Sequence, residues 1–118
     1  MAAARWWVLH EAGWDFSRDG LFGAPRVRVL VGAERHPTID HAIRFLGFGE
    51  HAIEEVPALP NGAMDTDALV LALSRGGPTI VCAQAGNVNT GACDDLRATA
   101  DAVRAANAWL HVDGAFGL

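Results

Sequence analysis

The sequence predicts an α/β fold in which a mainly parallel sheet is flanked by helices. Short β-branched or apolar segments alternate with helical segments along the whole chain, as in successive βαβ units. Residues 79–83 are almost wholly apolar, which is typical of a strand buried on both faces. A chain of 118 residues has room for one small domain.

The first half of the chain carries two helices and two strands. Residues 2–12 are rich in alanine and good helix formers, and Gly13 is placed to end that helix. Residues 27–31 are β-branched and bounded by loop residues, which predicts a strand. The next helix opens at His36-Pro37-Thr38, because proline favours the first helical turn. Ile39, Ile43 and Leu46 fall on its apolar face. Gly47 and Gly49 are placed to end it.

Residues 53–56 form the second strand of the first half. The second half repeats the alternation, beginning with a helix that Asp65 caps and that carries Leu69 and Leu73. After the strand at 79–83, a helix spans 94–107, with Asp94 and Asp95 favouring its N-terminus. Its predicted apolar stripe consists of Leu96, Ala100, Val103 and Ala106 or Asn107. Residues 109–113 form the fourth strand.

The composition of the chain bears on which partners it binds and in which cellular compartment it is found. The net charge is −5 and no basic stripe occurs, so the sequence offers no electrostatic reason to expect nucleic acid. No apolar run approaches the roughly 20 residues of a membrane span, and residues 1–14 do not resemble a signal peptide. Cys82 and Cys93 lack CxxC spacing, which favours two reduced thiols and a cytoplasmic protein. All nine basic residues are arginine, and the chain contains no lysine.

In a parallel sheet, ligands bind beyond the carboxyl ends of the strands. Asp113 is predicted at such an end, and the strand 109–113 is expected to be buried, so its carboxylate needs a partner. The neighbouring sequence contains no cation, so an external one, such as the protonated ring nitrogen of pyridoxal phosphate (PLP), is a candidate. The alternative is a solvated aspartate that caps the following segment.

Two further segments lie at the same predicted edge. His36 follows a strand, and its flat imidazole is suited to stacking on a flat cofactor, or else to capping the next helix. The polar loop at 85–91 has glycines that allow close approach of the backbone to a ligand, or it is a simple βα connection. His111 alternates with Asp113 and is expected on the same side of the strand.

Together, three segments resemble the group II PLP-dependent decarboxylases, the family of glutamate and aromatic amino acid decarboxylases. His36-Pro37-Thr38, followed by Ile39 to Gly49, is similar to the family's H-x-S/T … LG-x-G segment. The stretch 86–94, GNVNTGACD, resembles G-T-T-x-x-G-x-x-D, and the stretch 109–117, WLHVDGAFG, resembles W-x-H-V-D-A-A-Y/F-G. The three segments occur in the family's order, over about residues 5–118.

The resemblance implies the large PLP-dependent transferase domain of fold type I, in an enzyme that works as a homodimer on an amino acid substrate. It also implies roles for single residues. His36 would stack on the pyridine ring, Asp113 would pair with the ring nitrogen, and Ala115 would pack on the other ring face. The loop that contains Asn87 would approach the cofactor. Asn87 and Val88 stand where the family has a Thr-Thr pair.

The resemblance also implies that residues 1–118 are a partial cofactor-binding domain. The family's phosphate-binding segment is expected before residue 1 and its Schiff-base lysine after residue 118, so this chain has no catalytic residue of its own. The alternatives are another fold type I PLP enzyme, such as an aminotransferase or an aldehyde-lyase, and a non-catalytic remnant. No metal-ligand spacing is present among the histidines.

Overall fold

The computed structural model describes residues 1–85 and 94–114. Within them, a fully parallel sheet has the strand order β2-β1-β3-β4. The strands are β1 (Arg28–Gly32), β2 (Ile53–Val56), β3 (Thr79–Gln84) and β4 (Trp109–Asp113). The helices are α1 (Ala2–Glu11), α2 (Phe16–Asp19), α3 (Thr38–Phe45), α4 (Thr66–Leu73) and α5 (Leu96–Ala105), with a 3-10 turn at Glu50–Ala52. The predicted α/β class and parallel sheet are confirmed.

Most element boundaries agree with the sequence to within one or two residues. The bounds of β2 and β4 are those predicted, whereas β1 begins and ends one residue later, and β3 continues through Gln84. The helix α2 and the 3-10 turn were not predicted. Both are too short to show a periodic apolar pattern, which is the signal that a sequence-based prediction uses.

The helix ends follow from local chemistry. The Asp65 carboxylate accepts hydrogen bonds from the backbone N–H groups of Asp67 and Ala68, which confirms it as the cap of α4. Gly47, just beyond α3, has φ +86°, a conformation that favours glycine. A Cβ atom on Gly47 would also lie 2.8 Å from the Cδ1 atom of Leu21, so the position is restricted by packing as well.

The predicted apolar stripe of α5 was partly wrong. The buried residues of this helix are Thr99 and Val103, whereas Ala106 and Asn107 are exposed. The helix ends at Ala105, and Asn107 has φ +52°, so the last predicted turn is not helical and its side chains leave the apolar face. The helix begins after Asp95, whose carboxylate accepts from the Ala98 N–H group.

The sheet is covered on both faces by separate core layers. On one face, α1 and α3 pack over strand residues that include Val29, Val31 and Ile80. On the other face, α4 and α5 pack over strand residues that include Leu30 and Val81. The central strand β3 is buried from Thr79 to Ala83, as predicted, because helices cover both of its faces. The expected burial of β4 was wrong: all five of its residues are half-buried, since β4 lies at the end of the described sheet.

Arg28 joins β1, β2 and the end of α4. Its guanidinium donates to the carboxylate of Glu54, with Nε–Oε2 at 2.7 Å, and to the carbonyl oxygens of Ala72 and Gly76. The carbonyls at a helix C-terminus lack partners within the helix, so a cation there is favourable. Glu54 also pairs with Arg75, and its hydrogen bond from Arg28 is the main reason why its pKa is lowered.

None of the described helices has the length and apolarity that crossing a bilayer requires.

Arg28→Met should lower the free energy of unfolding by about 1–3 kcal/mol, because the carbonyl oxygens of Ala72 and Gly76 and part of the Glu54 carboxylate lose a charged donor. The Arg28 side chain is only 14% exposed, so water cannot fully replace these bonds. Urea denaturation measures the change. The control is Arg104→Met, which removes an exposed ion pair with Asp101 and should change stability by less than about 0.5 kcal/mol. Equal losses of unfolding free energy in the two variants would contradict the role of Arg28 as a stabilising link between the sheet and the end of α4.

Candidate functional site

The candidate site lies at the carboxyl edge of the sheet, between β1 and β3. The chain leaves β1 towards β2 through α3, which covers one face, and leaves β3 towards β4 through α5, which covers the other face. Connections that diverge in this way open a crevice at the carboxyl ends of the strands. The side-chain amide of Gln84 donates to the Glu34 carbonyl oxygen at 3.4 Å, which connects the end of β3 to the loop after β1.

His36 lies in the loop between β1 and α3 and is half-buried. Its Nδ1 atom is 3.2 Å from the backbone nitrogen of Thr38, whose N–H donates to it, and 2.9 Å from the Thr38 hydroxyl oxygen. The imidazole therefore caps the first turn of α3 through one edge of the ring. Capping, which the sequence left as an alternative to stacking, is observed, and it does not use the faces of the ring.

Asp113 is the last residue of β4 and is half-buried. Its carbonyl oxygen accepts from the Ala85 N–H group at 2.9 Å, which ties its backbone to the segment after β3. Trp109 packs against Trp7 of α1, so alternate residues of β4 lie on the α1 face. The Asp113 charge raises the pKa of His111, in agreement with the predicted shared side, although burial dominates and lowers that pKa overall.

His36 and Asp113 are thus at the same edge of the sheet, with β3 between their strands. Two strand spacings separate the ends of β1 and β4 by about 10 Å. Asn87 and Ala115, the other two predicted cofactor-binding residues, lie outside the described residues.

Asp94 has a role that the sequence did not reveal. One carboxylate oxygen accepts from the Met64 N–H group and the other from the Gln84 N–H group, both at 2.7 Å. The side chain therefore joins the loop before α4 to the end of β3, whereas the predicted effect was on the N-terminus of α5. The only signal in the sequence was the position of Asp94 as the final residue of the G-T-T-x-x-G-x-x-D-like stretch.

Cys82 lies beneath this edge, in register with His111 of the neighbouring strand. Burial raises the pKa of its thiol to about 12, and the negative charge of Asp113 acts in the same direction. A thiol with this pKa stays protonated at neutral pH, so it acts as a packing residue and not as a nucleophile. In the part of the chain that the structure describes, no cluster of His, Cys, Asp and Glu residues is arranged to hold a metal ion.

The chain belongs to the pyridoxal-dependent decarboxylase family. The family model that matches it, described as the pyridoxal-dependent decarboxylase conserved domain, covers residues 7–117. This result confirms the resemblance seen in the three sequence segments. The family's cofactor is pyridoxal phosphate.

Individual relatives agree with this assignment. The L-2,4-diaminobutyrate decarboxylase of Rhizobium meliloti is 38% identical over 94 residues, which are 75% of this chain and 19% of that protein. A crystal structure of mouse CSAD superposes with a TM-score of 0.86 at 30% identity, over 99% of this chain and 25% of that one. A structure of Oryza sativa TDC with PLP and tryptamine gives a TM-score of 0.82 at 30% identity, over 96% of this chain and 24% of that one. The chain spans about a fifth of the length of the curated relatives it matches.

The described residues fit the ring of PLP. A half-buried carboxylate at a strand end is a suitable partner for a protonated ring nitrogen, and a half-buried imidazole at the same edge is a suitable stacking group. These 118 residues contain no lysine, so they cannot supply the side chain that forms a Schiff base with the aldehyde of PLP.

The stability of the chain should fall at alkaline pH because of Cys82. Its pKa rises from 9.0 to about 12 on folding, so its contribution is complete below pH 9.0 and is lost as pH rises towards 12. The urea midpoint should therefore fall more in the wild type than in Cys82→Ala between about pH 8 and about pH 10.5. Cys93→Ala is the matched thiol control. An equal fall in wild type and Cys82→Ala would show that the thiol is not buried in the native state.

Proposed function

We propose that the protein containing these residues decarboxylates an amino acid with PLP, and that residues 1–118 provide part of the site for the pyridine ring. The observation that carries the proposal is the position of Asp113, at the carboxyl end of β4 and at the same sheet edge as His36. Family membership supports the cofactor, and the names of the relatives support the reaction.

Asp113 acts by electrostatics. When bound, PLP supplies an electron sink for the negative charge left on the substrate after CO2 departs. A carboxylate beside the ring nitrogen favours the protonated form of that nitrogen and so makes the ring a better acceptor. Asp113 is half-buried, and its surroundings screen its charge less than open water does. The half-buried position therefore strengthens this effect.

His36 acts by packing and orientation. An imidazole held by one edge on α3 can place its flat face on the pyridine ring. The loop that contains Asn87 and the position of Ala115 complete the ring site in this proposal, on the basis of the family resemblance. The lysine that binds the aldehyde and moves protons in this family would come from outside residues 1–118.

We also propose that the complete enzyme is a cytoplasmic homodimer. The family resemblance supports the dimer, and the buried free thiol of Cys82 is consistent with a reducing compartment.

Binding of pyridoxine 5′-phosphate tests the ring site in the 118-residue chain itself. This probe has the ring and phosphate of PLP but no aldehyde, so it needs no lysine. Asp113→Asn should weaken binding about tenfold or more, because it removes a charged hydrogen-bond partner of the ring nitrogen. Asp101→Asn, at an exposed position of α5, is the control and should leave binding unchanged. Probe fluorescence gives the affinities. Equal binding by wild type and Asp113→Asn would contradict the proposed ring site, and no binding by wild type would show that the 118-residue chain does not form that site by itself.

The reaction is tested in the protein made from the reading frame together with its flanking coding sequence. With PLP and a panel of amino acids it should release CO2 and the corresponding amine, and Asp113→Ala should abolish the release. A keto acid product would indicate an aminotransferase instead. Formation of neither CO2 nor a keto acid would indicate a non-catalytic remnant.

A further inference from the structure

The loop between β1 and α3 contains an ion-pair cluster beside His36. Its members are Arg35 in the loop, Asp40 in the first turn of α3, and Glu55 on β2. The family resemblance assigns no role at the cofactor to any of these three residues.

Arg35 bonds to three separate elements. Its guanidinium binds Asp40 through two parallel hydrogen bonds, with Nε–Oδ1 at 2.7 Å and Nη2–Oδ2 at 3.0 Å. The Nη1 atom donates to the Glu55 carboxylate at 2.9 Å and to the Gly32 carbonyl oxygen at 3.3 Å. The loop is therefore connected to α3, to β2 and to the end of its own strand.

The strength of this connection follows from its geometry and its burial. Paired, parallel hydrogen bonds between a guanidinium and a carboxylate are among the strongest in proteins. The Arg35 side chain is only 16% exposed, so solvent competes weakly for its donors. In agreement, the hydrogen bonds to Asp40 raise the pKa of Arg35 and lower that of Asp40.

His36 is thus enclosed by restraints on both sides along the chain. The preceding residue is held by the ion-pair cluster, and the following residue is Pro37, whose ring restricts the backbone of the residue before it. The imidazole itself is held at Nδ1 by Thr38. The backbone and the side chain of His36 therefore have little freedom before any ligand arrives.

We propose that Arg35 is a positioning residue for His36. Through Asp40 and Glu55 it holds the loop in the conformation that presents the imidazole at the carboxyl edge, so that binding of an aromatic ring there loses little conformational entropy. The link to a bound pyridine ring rests on the proposed function, whereas the restraint on His36 belongs to the ligand-free chain.

The experiment compares Arg35→Met with Arg75→Met. Both variants remove an arginine that pairs with a glutamate of β2, but Arg75 pairs with Glu54 on the opposite face of the sheet. The first measurement is the side-chain rotamer population of His36, from NMR scalar couplings in the ligand-free chain. We expect one dominant rotamer in wild type and in Arg75→Met, and averaging over several rotamers in Arg35→Met.

The second measurement is the affinity for pyridoxine 5′-phosphate, which should be about 2- to 10-fold weaker in Arg35→Met and unchanged in Arg75→Met. Arg35→Lys should recover part of the affinity, because lysine keeps the charge but cannot make the paired hydrogen bonds. If Arg35→Met does not fold, Glu55→Gln replaces it, since that side chain is 61% exposed and its loss leaves the Asp40 pair in place. Glu55→Gln should then show the same averaging to a smaller degree.

The outcomes separate the two proposals. A single His36 rotamer in both Arg35→Met and Glu55→Gln would overturn the positioning role, even if the probe binds. The His36 rotamers could average in Arg35→Met while wild type does not bind the probe. That result would support the positioning role of Arg35 and show that the 118-residue chain does not form the ring site by itself. Equal loss of affinity in Arg35→Met and Arg75→Met would mean that general stability, and not the position of His36, determines binding, and would also overturn the role.

Discussion

The parallel pairing of the four described strands is the constraint on which the rest of the structure depends. Parallel strands need crossover connections, and the helices of those connections must cover both faces of the sheet. This requirement explains why β3 is apolar along nearly its whole length and why the core is divided into two layers. It also brings the carboxyl ends of all four strands to one edge, so the loops that follow them become neighbours.

The two edges of the sheet are stabilised by charged side chains that bind backbone groups. At the amino edge, Arg28 binds one carbonyl at the end of α4 and one in the turn that follows it. At the carboxyl edge, Asp94 binds the N–H groups of Met64 and Gln84, and Arg35 binds the carbonyl of Gly32. Each of these side chains supplies partners to backbone groups where regular secondary structure ends. The loops of the candidate site are therefore attached to the sheet at several points.

These attachments suit the chemistry proposed for the carboxyl edge. An aromatic cofactor ring requires a charge at its nitrogen and a flat surface on its face, and both groups must be in place before the substrate arrives. Asp113 is held by the backbone pairing of β4 with the end of β3, and His36 by its contacts with Thr38. Cys82, protonated and in register with His111, adds neither charge nor reactivity to the site.

The sequence alone determined the order of the four described strands and of the four longer helices, the caps such as Asp65, and the family, because these depend on local patterns of apolar, polar and glycine residues. It also predicted His36 and Asp113 as cofactor-binding candidates, through motifs that stand next to predicted strand ends. Only the tertiary structure showed the ion pairs of Arg35 and the two hydrogen bonds of Asp94. These contacts join residues that are up to 30 positions apart, and no local pattern records which distant backbone group a side chain will reach. The half-burial of β4 was missed for the same reason, since the position of a strand within a sheet depends on its neighbours and not on its own residues.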